Sequence, residues 1–284
     1  MPKPPFIHAV SGPTTSSVHR FWSPHARWYH TPILREAVLI GYTSLFSLGV
    51  LLGLVWIGFA EQAERERKVS TKPTRRLDRI NAAVSALFGG LLVARLVFVG
   101  LHPDYYQEHP PEVIAFWQGG LNASGGLVGA LLGVTLFTWR DRRHLWSVLD
   151  DLALPSLILS LTIWIGSWLD GVAYGKRVPL NWGWLMNADP FGSQIARWPT
   201  QLVGVLLSLL AFLALFRAAS HLPQGVTACL ALSAIALILL IVGFFRADAS
   251  VLLLGQRLDV LAPAALSIVG LSLTACRWLM GRKP

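Results

Sequence analysis

The chain has 284 residues, 54% of them hydrophobic and only 14% charged, with a formal net charge of +9. Together with a mean hydropathy of +0.53, that apolar share exceeds what a soluble core of this size can hide, which excludes an ordinary globular enzyme. The basic excess follows membrane topology, as set out below, and excludes a nucleic-acid partner.

Residues 1–33 are polar, rich in Pro, Ser and His, and lack the apolar core and small-residue cleavage site of a secretory signal. They are expected to form a flexible outer tail, with 34–284 as the membrane domain. About 20 apolar residues cross a bilayer as a helix, and that template fits seven stretches, near 37–59, 81–101, 121–139, 147–168, 199–217, 225–245 and 258–276. Sheet alternation is missing from all of them, so the expected fold is an all-α bundle of seven transmembrane helices. Placing the first loop in the cytoplasm puts 14 of the 24 Lys and Arg on the inner side, among them Arg65, Arg75, Arg76, Arg140, Arg143 and Arg282, and leaves residues 102–116 with none. The bias sets the N-terminus outside and the C-terminus in the cytoplasm.

Within the third stretch, Gly119-Gly120-Leu121-Asn122-Ala123-Ser124-Gly125-Gly126-Leu127-Val128-Gly129 holds five glycines. Each weakens a helix by roughly 1 kcal/mol against alanine, so the run is expected to let other groups approach the backbone and to form a cavity. Arg95 lies inside the second stretch, where a charge costs on the order of 3 kcal/mol and faces a polar cavity or a partner; a lipid phosphate fits it, and snorkelling to the headgroups is the bland alternative. Arg246 with Asp248 stands at the outer end of the sixth stretch. Gln201 opens the fifth, where it donates to a headgroup oxygen or acts as helix-packing glue. Asp170 and Tyr174 are spaced four apart, so Asp170 is a candidate base or a loop cap; Ser124 is a candidate nucleophile or a small packing residue. Cys229 and Cys276 are expected to lie too far apart in the topology for a bridge, and no histidine spacing forms a compact metal site.

These motifs occur in an order that resembles the prolipoprotein diacylglyceryl transferase family. Ala94-Arg95-Leu96, Tyr105-Tyr106, His109-Pro110 and Trp117-Gln118-Gly119-Gly120 with Gly125-Gly126-Leu127-Val128-Gly129 are similar to its second and third helices. Asp151 with Pro155, Gly171 with Tyr174-Gly175-Lys176, Pro199-Thr200-Gln201-Leu202, and Phe244-Phe245-Arg246 with Asp248 and Gly255-Gln256 follow in family order. The resemblance implies a multi-pass protein of the bacterial inner membrane that moves a diacylglyceryl group from phosphatidylglycerol to the thiol of a lipobox cysteine, needing no cofactor or metal. Its partners would be phospholipid and prolipoprotein signal segments. Arg95, Arg246 and Gln201 would bind the lipid headgroup, with Gly171, Tyr174 and Gly175 joining the glycines of 119–129 around the cavity.

The chain departs from the family pattern at several positions. A family histidine is replaced by Ser124, the signature arginine by Trp164 or, counted forward from Pro155, by Ile165, a second histidine by Trp198, a Tyr-Glu pair by Val203-Gly204, another arginine by Leu239 and a glutamate by Gly243. A thiol needs a base or an electropositive site to ionise, and losing one phosphate donor typically costs about 100-fold to 1,000-fold in rate. Two alternatives therefore stand beside the family reaction: a non-catalytic relative that binds phospholipid or signal segments, and a different lipid-headgroup transferase.

Overall fold

The computed structural model describes residues 41–66, 74–116, 119–140, 144–179, 186–188, 194–253 and 255–281. The chain divides into residues 1–39 and 40–284; the tail expected at 1–33 lies outside the described residues. Within 40–284 the helices are α1 (Tyr42–Glu66), α2 (Thr74–Gly100), the short α3 (Pro103–Glu108), α4 (Ala123–Phe137), α5 (Leu145–Leu169), α6 (Thr200–Ala218), α7 (Val226–Phe245) and α8 (Leu258–Gly281). Among the described residues six of these, α1, α2, α5, α6, α7 and α8, are long and apolar enough to cross a membrane. Short hairpins pair β1 (Met186–Ala188) with β2 (Gln194–Ala196) and β3 (Leu252–Leu253) with β4 (Gln256–Arg257).

The seventh expected crossing is shorter than its sequence stretch. Gly119 and Gly120 adopt φ of +87° and +71°, which stops a right-handed helix, and Asn122 then caps α4 by accepting from the Gly125 N–H at 2.8 Å. The 15 residues of α4 span about 22 Å at 1.5 Å each, less than a hydrocarbon core of about 30 Å.

Close antiparallel crossings build the bundle. On α4, a Cβ at Gly125 would meet Val97 and Val93 of α2, one at Gly129 would overlap Gly89, and one at Gly133 would overlap Ser85. Gly49 and Gly53 of α1 lie against Thr162 and Pro155 of α5, Gly204 of α6 against Trp164 of α5, and Gly270 of α8 against Ser233 of α7. Small residues let backbones approach where lipid offers no hydrophobic drive for helix association. At the end of the bundle where α5 and α7 begin, Arg79 pairs with Asp151 at 2.7 Å, and Asp150 accepts from Gly225 N at 2.6 Å and Ala228 N at 2.9 Å, capping α7 from a neighbouring helix. Antiparallel α7 and α8 place Cys229, in the first turn of one, and Cys276, near the end of the other, at the same end of the bundle, and both are free thiols.

Candidate functional site

At the opposite end, Arg95 organises the polypeptide between α2 and α4. It is 7% exposed. Its Nε donates to Val113 O at 2.9 Å, Nη1 to Gly119 O at 2.6 Å and Gly120 O at 3.1 Å, and Nη2 to Glu112 O at 2.5 Å. The cation also lies 5.3 Å from the Tyr106 ring centroid and 6.0 Å from that of Phe98. These bonds give one physical account of the charge and of the glycines. Asn122 N donates to Ala94 O at 3.1 Å, so the chain entering α4 sits about six residues, or about 9 Å, below the end of α2. Backbone that returns to that depth outside a helix needs partners within the protein, and one guanidinium supplies them to four carbonyls. A Cβ at Gly120 would fall 2.6 Å from the Phe98 ring and 2.7 Å from Arg95 Nη1, so the clamp requires glycine there. Next to it, Tyr105 Oη donates to Glu112 at 2.7 Å and stacks on His109 at 4.6 Å. Burial first, and then the hydrogen bond to Glu112, push the Tyr105 phenol up.

Gly125 and Gly129 are filled contacts against α2; Gly126 is looser, since a Cβ there would stand 3.7 Å from its nearest neighbour, Ala94 Cβ. Ser124 is half-buried in the first turn of α4. Gln201 is fully buried: its Nε2 donates to Val172 O at 2.8 Å and its Oε1 lies 3.2 Å from Thr200 Oγ1. With Thr200 Oγ1 donating to Ala173 O at 2.7 Å, it holds the turn after α5, where Gly171 and Ala173 have φ of +65° and +55°. The amide is thus committed to backbone within this turn.

Asp170 accepts from Tyr42 N at 2.9 Å and so caps the start of α1; a Cβ at Gly41 would overlap its Oδ1. Burial pushes the Asp170 carboxyl above the ordinary 3.8, and the Tyr42 N–H pulls it only part of the way back. A raised folded pKa means that the folded state holds the proton more tightly, so the stability it contributes is complete below pH 3.8 and is lost as pH rises through the folded value. Asp170→Asn keeps an acceptor oxygen and is expected to remove this loss. Thermal midpoints of wild type and variant across that window should converge in acid and separate above it; parallel curves would contradict the assignment.

Tyr174 and Gly175 lie in a strip that crosses the start of α6 and the end of α7. Lys176 N donates to Phe245 O at 2.8 Å, Ala247 N to Tyr174 O at 2.9 Å and Trp198 N to Lys176 O at 2.9 Å, while Gly175 pairs with Arg246 and a Cβ on it would overlap Trp198. Around the strip stand three arginines. The Arg197 guanidinium is 4.5 Å from the Tyr174 ring centroid and its Nη1 approaches Gly175 O at 3.5 Å. Arg246 forks onto Asp248 and lies 3.9 Å from Asp259. Arg257 forks onto Asp259 at 3.0 and 2.8 Å and reaches Asp248 at 3.3 Å. Burial pulls the Arg246 cation down, but its hydrogen bond to Asp248 and the charges of Asp248 and Asp259 hold it above its ordinary value. Sequence reasoning alone misses Arg197, Arg257 and Asp259. Their only signals there are the adjacency of Arg197 to Trp198-Pro199-Thr200-Gln201 and of Arg257 to Gly255-Gln256.

The departures from the family pattern also gather in space. Trp164 packs with Ile238 and Val242, and Ala173, Val203, Val205, Leu207 and Leu239 close around them. A Cβ at Gly204 would collide with the Trp164 indole, so the glycine admits the ring. Trp198 meets Phe245 with ring centroids 5.5 Å apart. Five apolar or small residues, Trp164, Val203, Gly204, Leu239 and Trp198, therefore occupy positions where the resemblance implies polar groups, and the first four form one packed region. Trp164→Ala is expected to cost about 3–5 kcal/mol through the cavity it leaves, measured as a lowered denaturation midpoint in detergent.

The sequence profile of the family described as prolipoprotein diacylglyceryl transferase matches residues 34–278. The phosphatidylglycerol–prolipoprotein diacylglyceryl transferase of Tolumonas auensis is 31% identical over 163 residues, covering 55% of this chain and 59% of that protein. The protein of the same name from Chlamydia caviae is 31% identical over 222 residues, 72% of this chain and 74% of that one, and that of Methylibium petroleiphilum is 32% identical over 179 residues, 62% and 66%. The alignment to the first of these thus spans less than two thirds of the relative's length.

Proposed function

We propose, from the premise that this chain belongs to the prolipoprotein diacylglyceryl transferase family, that it is a seven-span protein of the bacterial inner membrane, N-terminus outside and C-terminus in the cytoplasm, that takes phosphatidylglycerol as donor and a lipobox cysteine as acceptor. The observation that carries this reading is the family match across 34–278, which takes in the described membrane helices up to Trp278 in α8 and the arginine–aspartate constellation at the end of α7. In the reaction, the acceptor sulfur, as thiolate, forms a bond to the diacylglyceryl carbon while the carbon–oxygen bond to phosphate breaks and glycerol phosphate leaves. Arg246 is the headgroup-facing cation of this reading, with Arg257 beside it. A guanidinium fork suits a phosphate, and an incoming phosphate would compete with the Asp248 and Asp259 carboxylates for it. Arg95, Gln201 and the glycines of 119–129 act one step back: they fix the loop and turn that border the site. Asp170 and Ser124 have no role in the chemistry of this reading beyond holding α1 and opening α4.

One observation favours a second reading, a non-catalytic relative that binds phospholipid or signal segments. The packed apolar region around Trp164 leaves its part of the bundle without the cations and bases that the transfer uses. Glycerol phosphate release separates the two. Purified protein in phosphatidylglycerol vesicles, given a lipobox peptide, is expected to release glycerol phosphate in step with peptide added, and Arg246→Ala is expected to lower the rate by about 100-fold or more. Stoichiometric co-purifying phospholipid with no release would establish the binding reading instead.

A further inference from the structure

The loop joining α7 to α8 presents apolar side chains in a way that the site does not use. Leu252 and Leu253 form β3 and pair in antiparallel register with Arg257 and Gln256, with Gly255 at φ +77° in the turn. Consecutive residues of a strand point to opposite faces, yet Leu252 is 63% exposed and Leu253 52%. A hairpin in water buries one face and wets the other; this one has an apolar side chain exposed on each. From Ala249 to Gly255 the sequence carries no charge. All the charge sits at the stem, where Arg246, Asp248, Arg257 and Asp259 interlock, Ser250 Oγ donates to Asp259 at 2.9 Å and Leu258 N to Val251 O at 2.9 Å.

We infer that this hairpin is an apolar lip that inserts into the lipid of the leaflet bordering the ends of α7 and α8. Its occupant is acyl chain and not a protein partner, for three reasons. The loop is only 12 residues long, 246 to 257, between two helices that end and begin at the membrane edge. The exposed Phe244 and Phe245 at the end of α7 continue into the lip, so it prolongs a surface that already faces lipid. The interlocked stem, two arginines against two aspartates, balances its own charge and forms a polar collar at headgroup height, the arrangement of an interfacial anchor with an apolar tip and a polar rim. Because the collar has no net charge, insertion rests on apolar burial and is insensitive to salt. The lip forms whether or not the chain transfers a diacylglyceryl group.

The test is a nitroxide at Leu253→Cys in a Cys229→Ala, Cys276→Ser background, with Leu252→Cys as a second site; both leucines are exposed, so neither change removes core packing. In vesicles of zwitterionic phosphatidylcholine, collisions of the label with oxygen should exceed those with a water-soluble nickel chelate several-fold at both sites. The ratio should not change when salt is raised. Chelate collisions exceeding oxygen collisions would place the tip in water, and low collision rates with both would place it against protein; either result overturns the lip.

Discussion

Arg95→Ala is expected to cost about 3–5 kcal/mol of stability, because it removes one buried cation and strands the four carbonyls it serves. The loss should appear as lower folded yield and as faster hydrogen exchange confined to residues 112–122 and the start of α4. Arg95→Lys is the sharper variant. An ammonium keeps the charge but has three donors on one atom and no planar fork, so it cannot serve Glu112 and Val113 on one side and Gly119 and Gly120 on the other. If Arg95 served only as a positive charge for a phosphate, lysine would restore most of the stability and leave exchange at 112–122 unchanged. Wild-type stability in Arg95→Ala would remove the clamp from the account.

Neighbouring glycines should respond in opposite ways. At Gly129 a methyl would overlap Gly89 O and stand 2.6 Å from Val93 Cβ, so Gly129→Ala forces α2 and α4 apart and is expected to destabilise by about 1–3 kcal/mol. At Gly126 the nearest atoms are 3.7 and 3.8 Å away, ordinary contact, so Gly126→Ala is expected to be neutral or to gain up to about 1 kcal/mol from helix propensity. Denaturation midpoints of the two variants in one detergent decide the point. Equal loss in both would mean that the run serves something other than the helix crossing.

The helical membrane architecture was legible from the sequence because hydropathy and length act locally: the six long spans match stretches read directly from composition. The start of the short α4 was less legible, since it depends on left-handed backbone at Gly119 and Gly120 and on a carbonyl six residues inside another helix. Arg95 was recognisable as a residue with a task, since an intramembrane charge demands a partner. That its partners are backbone carbonyls of a returning loop depends on a long-range contact that no spacing encodes. Gln201 was ambiguous for the same reason, as a polar residue at a helix start reads alike whether it faces a headgroup or holds the turn at Val172. The ion-pair network between α7 and α8 was half visible: Arg246 and Asp248 are close in sequence, while Arg257 and Asp259 join only because α8 returns antiparallel to α7. Trp164, Val203, Gly204 and Leu239 could each be noted as a departure, but only three helices packed together make them one region.

Transfer from phosphatidylglycerol to a lipobox cysteine is tested most directly by the intact mass of a lipobox peptide after incubation with the purified chain in phosphatidylglycerol-containing membranes. The account predicts a peptide heavier by one diacylglyceryl group, with no change when its cysteine is replaced by serine. An unmodified peptide, beside an active relative run under the same conditions, would contradict the transferase reading and leave a phospholipid-binding member of the family.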